Sequence, residues 1–291
     1  MTLDPRQNAF RADLADARLA GQVEAVRFVD GERRRITAPV AAVRREPRLD
    51  AAVDSEALLG EVARVFETTA EGWCWVQLEA DGYVGFVAAE AIGALDPEPT
   101  HRVTALRTFV YPAADMKLPP LAVLPFGAQL VLGEPAETRK TPYYWLADGS
   151  GAVVARHVAP MGAPVEPDFV AAAARFLETP YLWGGRSALG IDCSGLVQTA
   201  LAAAGISAPR DSDQQAAALG TPVEGGVEAG LQRGDLVFWK GHVGIMTDPA
   251  TLLHASGHHM AVVMEPLAGA LARYAELGVS PIGVRRLAAS L

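Results

Sequence analysis

Cysteine is almost missing: 291 residues contain only Cys74 and Cys193, far apart in the chain. Two are too few for a disulfide framework or a cysteine-based zinc site, and free thiols suit a reducing compartment. Long apolar runs are missing as well. No stretch approaches the ~18 uninterrupted apolar residues of a membrane span. The opening MTLDPRQNAFRADLADARLAG has no apolar centre, so it does not read as a secretory signal. Positive charge is short: 25 Lys and Arg against 34 Asp and Glu leave a net charge of −9. An acidic chain without a basic stripe argues against nucleic acid and anionic membranes as partners. No metal-ligand spacing of the HExxH kind occurs, and neither metal nor cofactor is expected. These absences predict a cytoplasmic protein acting as a monomer. What is present is a 50% hydrophobic composition with 20% charge, enough for a sizeable core, over a length that fits two or three domains.

Along the chain, residues 3–25 space Phe10, Leu14, Leu19 and Val23 as a helix would, which predicts an N-terminal helical arm over 1–35. From there the texture is β. GEVARVFE (60–67), WCWVQLE (73–79) and YVGFV (83–87) are rich in Val and aromatics, and Asp81-Gly82 marks a hairpin. This predicts a small barrel over 36–98. A second stretch, 101–160, repeats the scheme. Gly60 and Gly127 are 67 apart, as are Gly82 and Gly149, so an approximate duplication is expected. After the run PMGAPVEP (160–167), a helix is predicted over 167–179 with Pro167 at its start. A second helix and a run of strands follow, including GHVGIMT (241–247), TLLHAS (251–256), MAVVME (260–265) and IGVRRL (282–287). Helices first and an antiparallel sheet after give an α+β class for 166–291.

The chemistry concentrates in PYLWGGRSALGIDCSGLVQTALAAAG (180–205). A loop of glycines and aromatics ends at Cys193, and a Leu- and Ala-rich helix begins there and closes at Gly205. A thiol at a helix N-terminus meets unpaired N–H groups and the positive end of the helix dipole. That predicts a lowered pKa and a reactive thiolate. A nucleophilic cysteine needs a base and a group to orient the base. His242 and His254, on candidate neighbouring strands, are the histidines placed for those tasks. The competing readings are a small buried hydrophobe for Cys193, a turn residue for His242 and a hydrogen-bonded core histidine for His254. Cys74, between two tryptophans with no histidine near, reads as structural, and His258 and His259 read as solvated turn residues.

Six motifs in order, YLWGG (181–185), DCSGLVQ (192–198), PRDSDQQ (209–215), RGDLVFW (233–239), GHVGI (241–245) and LLHAS (252–256), make residues 167–291 resemble the NlpC/p60 family of papain-like cysteine peptidases. The resemblance implies a papain-like domain preceded by two SH3-like barrels. It implies Cys193 as nucleophile, His242 as base, His254 as its orienting partner and Tyr181 beside the oxyanion. Members with two SH3-like domains act on short murein peptides with a free N-terminal L-Ala, cutting after γ-D-Glu. By that resemblance Glu61, Tyr83, Ser194 and Ser212 contact substrate. Asp192 is a candidate carboxylate for the substrate ammonium, since a buried ammonium needs an anionic partner. Two other functions stay open: an endopeptidase on intact peptidoglycan with wall-binding SH3-like modules, and a non-catalytic binding module.

Overall fold

The computed structural model describes residues 3–163 and 165–287. The outermost residues of the predicted arm and peptidase domain, 1–2 and 288–291, lie outside the described residues. The chain divides into two compact units, Met1–Ala163 and Pro164–Leu291.

In the first unit the Val- and aromatic-rich runs pair into one seven-stranded sheet. Its order is Val53–Leu58, Val40–Arg44, Val84–Ala88, Trp73–Leu78, Val62–Thr68, Glu32–Ile36 and Ile92–Gly93. Alternation sends Ile36, Val43, Cys74, Val76, Leu78, Tyr83 and Val87 to one buried cluster. Phe66, Trp73, Trp75 and Phe86 go to another, closed by Ala9 and Leu14. The predicted helical arm is not there: residues 3–25 hold no α-helix. Leu14–Asp16 is instead a short strand parallel to Arg27–Val29, and a 3-10 turn, Ala17–Leu19, follows under the Asp16 cap. Three successive residues, Leu14, Ala15 and Asp16, are buried together. The one-sided stripe of a surface helix does not bury three in a row, so packing overrides the apolar spacing.

Residues 101–160 repeat this wiring. Glu32–Ile36 pairs with Val62–Thr68 and Ile92–Gly93, as His101–Val103 pairs with Gln129–Leu130 and Val158–Pro160. The meander Val62–Thr68, Trp73–Leu78, Val84–Ala88 has its counterpart in Leu132–Thr138, Thr141–Leu146, Ala152–Val154. Gly60 and Gly127 both take positive φ, +85° and +89°, and donate to Ile36 O and Val103 O at 2.8 and 2.9 Å. The same left-handed turn is thus used twice, at a position that favours glycine.

In the second unit a six-stranded antiparallel sheet runs in the order Thr221–Pro222, Pro281–Arg286, Leu236–Trp239, His242–Met246, Thr251–Ser256, Ala261–Pro266. Against it lies helix α2 (Cys193–Ala203), all but one of whose residues are buried. Such a helix tolerates no polar face, which explains the small and apolar run after Cys193. Helix α1 (Phe169–Ala174) packs on α2 and is shorter than 167–179: Asp168, not Pro167, caps it through Val170 N and Ala171 N. Helix α3 (Ser212–Ala218) begins within PRDSDQQ. Helix α4 (Leu267–Glu276) interrupts the expected run of strands.

Candidate active site

Asp192 is the N-cap of α2, and its carboxylate is the hub of the first turn. Oδ1 accepts from Gly195 N at 2.7 Å, from Arg210 Nη1 at 3.0 Å and from Ser194 Oγ at 3.3 Å. Oδ2 accepts from Arg210 Nη2 at 2.6 Å and from Gly184 N at 2.9 Å. Arg210 is 1% exposed. It also donates to Ser194 Oγ at 2.9 Å. Gln215, on α3, donates to Ser194 O at 3.0 Å and to Pro209 O at 2.9 Å. The segment PRDSDQQ therefore clamps the turn that presents Cys193. Gly195 lets the 180–190 loop close on it: a Cβ there would lie 2.3 Å from Gly185 O.

The histidines come from two neighbouring strands, His242–Met246 and Thr251–Ser256, the first packed on α2. His242 Nε2 and His254 Nδ1 are 2.7 Å apart, and His254 Nε2 meets Glu265 Oε1 at 2.8 Å. Arg273 of α4 holds Glu265 in turn. The carboxylate fixes the tautomers. His254 donates from Nε2, so its Nδ1 accepts from the Nε2–H of His242, and the lone pair of His242 falls on Nδ1. Burial pushes Glu265 upward, but hydrogen bonds from Arg273 and His254 outweigh it and keep the carboxylate below its ordinary range. The His254 imidazole is pushed down by burial despite Glu265.

The thiol departs from expectation. Burial, and then the Asp192 charge, raise Cys193 to about 12, although backbone N–H groups of Val243 and Ser194 and the Arg210 cation pull the other way. Burial likewise pushes His242 down to about 3, with His254 adding to the effect. The predicted lowered thiol pKa is therefore corrected. Six per cent exposure at both residues removes more solvation than the helix terminus returns, which favours the uncharged thiol and the uncharged imidazole.

Tyr181 is half-buried. Burial, then the nearby Cys193 and Asp192, hold its phenol protonated above the ordinary range. Ser194 is buried between Asp192 and Arg210, and Ser212 opens α3. In the first unit Glu61 is 7% exposed and accepts from Leu58 N at 2.9 Å, while Tyr83 is 4% exposed in the barrel core. Cys74 faces the same core, with Thr68 Oγ1 at 3.4 Å from its sulfur. No group of three or more metal-ligating side chains occurs among the described residues.

Two regions match known family models: residues 178–279 match the NlpC/P60 family, and residues 43–92 match the bacterial dipeptidyl-peptidase SH3 domain. The chain carries an NlpC/P60 domain. A gamma-D-glutamyl-L-lysine dipeptidyl-peptidase of Bacillus subtilis is 39% identical over 97 residues, 30% of this chain and 31% of that protein. A probable endopeptidase of Corynebacterium glutamicum is 44% identical over 89 residues, 30% of this chain and 41% of that protein. The chain thus matches less than half the length of either relative. The crystal structure of an NlpC/P60 family protein from Bacillus cereus superposes with a TM-score of 0.69 at 22% identity, covering 88% of this chain and 99% of that one, which establishes a shared fold. The NlpC/P60 domain, of a cysteine peptidase family, holds Cys193, His242 and His254. Reading the sequence missed Glu265 and Arg273, although period-two alternation from Val263, the partner of His254, puts Glu265 on the same face. It assigned no role to Arg210 either.

Proposed function

We propose that this protein is a cysteine peptidase hydrolysing the γ-D-glutamyl-L-diamino acid bond of short murein peptides with a free N-terminal L-Ala, in the cytoplasm. The observation that carries the chemistry is the relay His242–His254–Glu265 at the mouth of α2. His242 Nδ1 takes the Cys193 proton as the sulfur attacks the glutamyl carbonyl carbon, so that proton transfer and attack share the cost of charging a buried pair. The Tyr181 hydroxyl donates to the developing oxyanion. His242 then returns the proton to the departing amine and draws one from the water that cleaves the acyl-enzyme. The substrate rests on two supports: the SH3-domain match at 43–92 and the dipeptidyl-peptidase relative. Within the NlpC/P60 domain, Ser194 and Ser212 are assigned to substrate contact.

Mass spectrometry of products from L-Ala-γ-D-Glu-diamino-acid peptides tests this. Release of L-Ala-γ-D-Glu is expected from free amines and not from acetylated ones, and Cys193→Ala or His242→Ala is expected to abolish it. Equal cleavage of acetylated peptides supports the endopeptidase reading instead, which the Corynebacterium relative's name favours. Wild-type turnover in either variant removes the peptidase reading.

A further inference from the structure

His242 is packed among rings. Tyr274 of α4 lies with its centroid 5.4 Å from the imidazole at an interplanar angle of 32°, and Trp239 lies 5.7 Å away at 49°. The two aromatics stack on each other at 5.1 Å and 27°. Trp239 is 1% exposed. The catalytic cycle requires a cation in this place. The thiol loses its proton to His242 Nδ1, and the S–H bond becomes an N–H bond on an imidazolium 6% exposed to water. Among the described residues no carboxylate is hydrogen-bonded to that ring, because Glu265 reaches it only through His254. The groups acting on it are Trp239 on Leu236–Trp239, His254 on Thr251–Ser256, Glu265 on Ala261–Pro266, and Arg273 and Tyr274 on α4. Of these, His254 and Arg273 disfavour a positive charge there and Glu265 favours it. Both aromatic centroids fall within the ~6 Å at which a π face attracts a cation.

Resting on the assignment of His242 as the base, we propose that Tyr274 is a positioning residue whose ring, backed by Trp239, receives the His242 imidazolium against its π face. The ring, not the hydroxyl, does this. Phenylalanine at 274 should therefore serve as well as tyrosine.

The test is the rate at which iodoacetamide alkylates Cys193 in the full-length chain, followed by peptide mass spectrometry from pH 5 to 9 without substrate. Cys74, 3% exposed, is the internal reference. Tyr274→Phe should react within about twofold of wild type. Pentafluorophenylalanine at 274 keeps the packing but inverts the ring's quadrupole. It should lower the rate at pH 7 roughly tenfold relative to Tyr274→Phe, in line with a desolvated cation–π contact. Equal rates for the plain and fluorinated rings would overturn the proposal, as would a tenfold loss in Tyr274→Phe alone. His242→Ala separates the two levels. If it leaves alkylation unchanged, the base assignment itself fails; if it slows alkylation while fluorination does not, only the role of the ring fails.

Discussion

The two units place charge differently. The N-terminal unit wears many ion pairs outside, as in Arg33–Glu79 and Arg45–Asp54, whose arginines are 46% and 68% exposed at the side chain. The NlpC/P60 domain sinks Arg210–Asp192, at 1% and 9%, beneath its nucleophile. Exposed pairs are screened and contribute little. A buried pair is costly to assemble and costlier to break, so its use lies in fixing geometry. The NlpC/P60 domain thus places a charged pair in its interior beside a sulfur.

Breaking the buried pair should show the contrast most strongly. Arg210→Met strands the Asp192 carboxylate and should cost about 3–5 kcal/mol in urea denaturation. A smaller loss would mean that Asp192 finds solvent. The acid limb comes next. His242 stays neutral in the fold to about pH 3, against 6.5 for an ordinary imidazole. Between those values the unfolded chain binds more protons, and stability must fall as pH falls. The slope approaches about 1.4 kcal/mol per pH unit. Urea titrations at pH 7 and 5 should show the loss in wild type and a shallower one in His242→Gln. Glu265, held low, acts in the same sense: its contribution is present above the unfolded carboxylate pKa and is lost as acid protonates it. Cys74→Ala should cost about 1 kcal/mol through a small cavity and leave turnover intact, whereas Cys193→Ala ends turnover. The mildest case is Arg33→Ala, expected to leave the urea midpoint and turnover unchanged. A shift there would undo the contrast from the other side.

Local signals were readable in the sequence and long-range ones were not. TLLHAS is a strand over the full Thr251–Ser256, and the Cys193 helix begins at Cys193, because both depend on neighbours in the chain. Asp81-Gly82 marks its turn for the same reason, with Asp81 accepting from Tyr83 N at 3.0 Å. The Glu265 partnership depends on hairpin register across 257–260, which residue types do not specify. Tyr274 and Arg273 belong to a helix folded back from beyond the sheet edge. Arg210 shows no sign in its neighbours that it will be enclosed. The N-terminal error has the opposite cause: of the four apolar residues at near-helical intervals only Leu14 lies in a strand, and it is buried there with its chain neighbours rather than along a helical stripe. Trp183, in the loop before Cys193, is 63% exposed.

The repeated barrel also provides a ruler. Asp148 accepts from the amide two residues on, as Asp81 does, but that amide belongs to Ser150 where the first copy has Tyr83. The amide of Ala128 donates to Pro125 O as that of Glu61 donates to Leu58 O, and its side chain ends at a methyl. Nature has thus run the truncation of both side chains on a sister backbone within one polypeptide, and the backbone closed regardless. Whatever selective pressure keeps a carboxylate and a phenol in the older or younger sibling, the architecture itself did not demand them.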